Sequence, residues 1–69
     1  MIEYLLRLPE GAAIGKDFNM MDRMARREAH ENGAAVMEVH YPGGGGYLLR
    51  YTRTIWGTVV SSREPKTWR

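Results

Sequence analysis

Apolar and polar residues alternate from Ile2 to Leu8, with Ile2, Tyr4, Leu6 and Leu8 on one side and Glu3, Leu5 and Arg7 on the other. A period of two belongs to a strand with one buried face, so this segment predicts a β-strand. Pro9 ends it, and Glu10–Gly15, with two glycines, reads as a loop. The period then changes. Phe18, Met21, Met24, Ala25 and Ala29 recur at helical spacing, which predicts a helix with one apolar stripe. Asp17 or Asn19 can accept the unpaired N–H groups of its first turn, and Gly33 can take the left-handed conformation that closes it.

Ala34–Tyr41 and Tyr47–Arg53 alternate again, and Pro42-Gly43-Gly44-Gly45-Gly46 separates them. Two alternating runs around a glycine-rich turn predict a β-hairpin with a mobile tip. A register with Tyr41 opposite Tyr47 sets Val39 opposite Leu49, Glu38 opposite Arg50 and Met37 opposite Tyr51. Thr54–Ser61 is rich in strand formers (Ile55, Trp56, Val59, Val60) and is either a bent continuation of the second hairpin strand or a short fourth strand. Gly57 marks a bulge or bend there. Residues 62–69 read as a polar, basic tail, which leaves residues 1–61 as a single domain.

The predicted order is therefore β-α-β-β, an α+β fold. One helix packs on one face of a small, mainly antiparallel sheet, and the first strand lies beside Tyr47–Arg53. Phe18, Met21, Ala25 and Ala29 should pack on Ile2, Tyr4, Leu6, Met37, Val39, Leu49 and Tyr51. The other face, with Glu3, Leu5, Arg7, Val36, Glu38, His40, Leu48, Arg50 and Thr52, has no covering layer.

Composition narrows the class. Sixty-nine residues, 43% of them hydrophobic, support one modest core, and with no cysteine neither a disulfide nor a thiolate metal site can reinforce it. The lack of cysteine fits a reducing cytoplasm. No apolar run approaches the roughly 18 residues of a membrane span, and the segment after Met1 has no basic leader. The expectation is a complete, soluble, cytoplasmic gene product. Charge is unevenly placed: residues 1–42 hold five basic residues against seven acids, whereas residues 43–69 hold Arg50, Arg53, Arg63, Lys66 and Arg69 against Glu64 alone. A basic C-terminal half can attract nucleic acid or an acidic protein face.

Catalytic chemistry finds little support. A Walker loop needs Lys-Ser/Thr after its glycines and a following helix, but here Tyr47-Leu48-Leu49 opens a strand. Glu38, His40 and Arg50 form the acid, base and phosphate-clamp set of a small ribonuclease, a grouping that sheets also produce as ordinary cross-strand pairs. His30 and His40 lack the spacing of a metal site, and no cofactor motif is present. Arg23, Arg26 and Arg27, with His30, share the helix face opposite the methionines and could lie along phosphates, although Asp22, Glu28 and Glu31 dilute the charge. Tyr41, Tyr47, Trp56 and Trp68 are aromatic residues of the kind enriched at interfaces.

In size and β-α-β-β order the chain resembles the small single-domain proteins of phages and mobile elements, among them several anti-CRISPR inhibitors. Those inhibitors share no diagnostic motif, so no residue role transfers, and the positive net charge sets this chain apart from the acidic, DNA-mimicking ones. The resemblance implies a non-enzymatic inhibitor that docks on a host defence protein or nucleoprotein complex, such as a CRISPR effector, in the host cytoplasm. The residues expected to contact the partner are Tyr47, Arg50, Arg53, Trp56 and Arg63, with Tyr47 and Arg50 foremost. The alternatives are direct nucleic-acid binding through the basic helix face and C-terminal half, and a small ribonuclease-like toxin.

Overall fold

The computed structural model describes residues 1–65, so Lys66, Trp68 and Arg69 of the expected tail lie outside the described residues. The chain runs β1 (Glu3–Leu8), β2 (Gly11–Gly15), α1 (Phe18–Asn32), β3 (Ala34–His40), β4 (Gly46–Arg53) and β5 (Val59–Pro65). The strands form a five-stranded sheet in the order β2-β1-β3-β4-β5, antiparallel throughout, with α1 packed on one face. The α+β class is as expected, and the strand count is five.

The segment expected to be a loop is β2. Its small residues carry no alternation and little intrinsic strand preference, so the pairing of Leu8 with Gly11 through Tyr4 with Gly15 makes it a strand. This extra reversal changes the topology. With β2 inserted, the chain returns after α1 antiparallel to β1, and β1 pairs with β3 rather than with Tyr47–Arg53. Thr54–Ser61 is neither a continuation of β4 nor a single strand. Residues 54–58 turn the chain, and β5 runs on through Ser62–Pro65, residues assigned from the sequence to the tail.

Helix α1 starts and stops on sequence signals. Asp17 Oδ1 accepts from the N–H groups of Asn19 (3.0 Å) and Met20 (3.4 Å), and Gly33, at φ 94°, donates its N–H to Ala29 O. Met21, Ala25 and Ala29 are buried against Leu6, Ala35, Met37 and Tyr51. Alanine at two of the three contacts lets the helix approach the sheet closely. Phe18 and Ile2, expected in the core, are partly exposed, with Phe18 resting on Tyr4 at 5.5 Å between ring centroids.

The β3–β4 register is displaced by two residues from the expected one: Val39 faces Tyr47, Met37 faces Leu49, Glu38 faces Leu48 and Val36 faces Arg50. Tyr41 leaves the strand for the turn, which is closed by Tyr41 N–H to Gly45 O and Gly44 N–H to Tyr41 O, both 3.1 Å. Gly44 and Gly45, at φ 97° and 79°, make this path accessible. A shift of two keeps every side chain on its face, so the core survives while the charged neighbours change.

Candidate partner-binding surfaces

The five residues expected to bind a partner occupy three places. Arg53 and Trp56 sit at the β4–β5 turn. Its backbone is held by Thr54 N–H to Thr58 O (2.7 Å) and Gly57 N–H to Thr54 O (3.0 Å), with Gly57 at φ 85°. A β-turn followed by a left-handed glycine is a standard hairpin closure, so Gly57 was the available turn signal. The two threonine hydroxyls lie 2.7 Å apart, and Thr54 Oγ1 accepts from Trp56 N–H at 3.3 Å. This bonded turn carries Ile55 and Trp56, 90% and 83% exposed. Arg53 donates through its guanidinium to His30 O at the helix C-terminus, where a cation also meets the negative end of the helix dipole. His30, Arg53, Thr54, Ile55 and Gly57 line a recess of about 480 Å³. Sequence reasoning missed Ile55, which carried no signal beyond its place before Trp56-Gly57.

Tyr47 and Arg63 meet at the opposite end of β4, on the helix-bearing side of the sheet. The Arg63 guanidinium lies 3.8 Å from the Tyr47 ring centroid and donates to the Tyr41 hydroxyl at 3.4 Å. The Tyr41 and Tyr47 rings meet edge to face at 6.0 Å. These three residues come from the glycine turn, β4 and β5, so the displaced register and the fifth strand create the cluster.

Arg50 stands apart on the uncovered face. Its Nε donates to Glu64 Oε2 at 2.9 Å, and Arg50 holds the Glu64 carboxyl below the usual carboxylate range. The expected register of Glu38 opposite Arg50 is not formed, because Arg50 faces Val36 and Glu38 faces Leu48. Glu38 instead is buried on this nominally open face, 4% exposed, in a row that runs Ile14, Leu5, Glu38, Leu48, Glu64 across the strands. Arg7 donates to its Oε2, and His40 Nε2 lies 3.0 Å from its Oε1. Arg7 thus takes the place expected for Arg50, with no sequence signal beyond its position in β1.

The basic helix face divides as well. Arg26 turns toward the sheet, bonding Asp22 at 2.9 Å and Val59 O at 3.3 Å and covering the Tyr51 ring. Arg23 and Arg27 are exposed, and no ion pair among the described residues includes them. No helix among the described residues is long and apolar enough to cross a membrane. No protein-family model matches the chain, and no curated protein and no solved structure matches it.

Proposed function

We propose that this chain is a small non-enzymatic inhibitor of the phage type. It docks on a host defence protein or nucleoprotein complex, such as a CRISPR effector, in the host cytoplasm and blocks its activity. The observation that carries this reading is the Ile55–Trp56 turn. Two large apolar side chains exposed on a hydrogen-bonded turn, beside a guanidinium, match the anchors that dominate protein interfaces. Placing them in a partner's pocket costs little ordering, because the turn is already bonded. The buried Glu38 serves the sheet in this reading, its carboxylate engaged by Arg7 and His40. The test is capture from host lysate on immobilised protein, with nuclease treatment in parallel. Nuclease-resistant capture lost in both Trp56→Ala and Ile55→Ser, with melting temperatures unchanged, supports the reading. Capture indifferent to both substitutions removes it.

Direct nucleic-acid binding is the second reading, favoured by exposed Arg23 and Arg27 without ion pairs among the described residues. Its signature is nuclease-sensitive capture and an affinity for duplex DNA that falls steeply with salt.

A further inference from the structure

The Arg63 side chain is already placed for a ligand. Stacking on Tyr47 occupies one face of the planar guanidinium, and the Tyr41 hydroxyl takes one of its five N–H donors. The remaining edge donors form the fork that matches two carboxylate oxygens. None of the ion pairs among the described residues includes Arg63, so its charge has no carboxylate there. From this geometry we propose that Tyr41, Tyr47 and Arg63 form an anchoring site for an aspartate or glutamate side chain of a protein partner. The proposal rests on the binding-protein reading but concerns the end of β4 opposite Trp56.

Among the described residues, charge distribution favours a protein carboxylate over a nucleic-acid backbone. A phosphate chain is held by several cations along its path. Here Arg50 lies on the other face in its pair with Glu64, and Arg53 lies at the far end of β4. Lys16 follows Gly15, which sits three strands away from Tyr47 across β1 and β3, about 14 Å at ordinary strand spacing. Beside Arg63 stand Tyr47 and the partly exposed Tyr41. Among the described residues this is one stacked cation among aromatic rings, the composition of an interface anchor. Tyr41 is a positioning residue here, since its hydroxyl orients the guanidinium.

The test is an NMR titration of the intact protein with a blocked Leu-Glu-Glu-Leu peptide, following the Arg63 Nε–H and Tyr47 ring resonances. Inorganic phosphate and a ten-residue oligothymidylate serve as separate arms. The expected result is a saturable shift with the peptide, weaker by about tenfold in Arg63→Gln, as expected when charge-assisted hydrogen bonds are lost. Arg63→Lys should weaken it too, because lysine keeps the charge but not the stacked fork. Tyr41→Phe should fall between them and wild type. No saturable shift, or equal binding by Arg63→Gln, overturns the proposal, and tighter binding of the oligothymidylate assigns the site to nucleic acid. If the titration fails while Trp56-dependent capture persists, only this proposal falls. If the titration succeeds while capture is indifferent to Trp56→Ala and Ile55→Ser, only the inhibitor reading falls.

Discussion

The Tyr51 phenol is fully buried and donates to Asp22 Oδ1 at 2.7 Å, while the Arg26 guanidinium lies 5.6 Å from its ring centroid. Burial first, and the Asp22 bond second, raise its pKa well above the ordinary value of a tyrosine. The fold therefore favours the neutral phenol. That stabilisation is complete below pH about 10, the ordinary tyrosine value, and declines as pH rises beyond it. The expected outcome is a melting temperature that falls between pH about 10 and 12 in wild type and falls less in Tyr51→Phe. At neutral pH the same variant should cost about 1 kcal/mol for the lost hydrogen bond. Met21, 2% exposed beneath the sheet, gives the sharper stability test. Met21→Asp places an unpaired carboxylate in the core, and a loss of about 3 kcal/mol or more should unfold so small a domain. An unchanged thermal melt would mean that Met21 is not part of the core.

Among the elements, α1 was legible because its signals are local. A capping aspartate, an apolar stripe and a closing glycine act within one segment, and all three appear in the structure. The edge strands differ. β2 and β5 exist through hydrogen bonds to β1 and β4, partners that their own residues do not announce. A chain ended after Ser61 is a direct test of β5. It would lose the pairing of Ser62–Pro65 with β4, the Arg50–Glu64 pair and the Arg63–Tyr47 stack. A melting temperature well below that of the full chain is expected, together with faster amide exchange in β4. Equal melting would support a domain boundary at residue 61.

For the whole molecule, the two proposed contact points sit at opposite ends of β4. Tyr47 and Arg53 are six residues apart, about 20 Å along an extended strand. Truncations at the two ends should therefore be nearly additive in their effect on a partner. Trp56→Ala and Arg63→Ala should each weaken binding by about 1–3 kcal/mol, as at interface hot spots, with a salt dependence smaller than that of a multi-phosphate contact and carried mainly by Arg63. Binding carried by phosphates would change log K by roughly 0.9 per contact for each tenfold change in salt. Titration against a captured protein and against duplex DNA at two salt concentrations distinguishes the two. Under the proposed function no cleavage of single-stranded RNA is expected. Cleavage abolished by His40→Ala, with the fold retained, would move Glu38, His40 and Arg7 from structure to catalysis.

By itself, the sequence determined the helix and its limits, the alternation of β1, β3 and β4, the α+β class and the centre of the core at Leu6, Met21, Ala25, Ala29, Met37, Val39 and Tyr51, though not the exposure of Ile2 and Phe18 or the burial of Glu38. Short-range periodicity and backbone preference act within a single segment and need no partner. Tertiary structure decided everything that depends on parity and register. The β1–β2 hairpin reversed the direction in which the chain re-enters the sheet, so β1 pairs with β3. A two-residue displacement in the glycine turn left the core faces intact but gave Glu38 to Arg7 and Arg50 to Glu64. Period-two side chains cannot distinguish registers two residues apart, because both bury the same face. Backbone pairing and turn geometry made that choice, and with it they separated Arg50 from the other expected contacts and brought Tyr41, Tyr47 and Arg63 together.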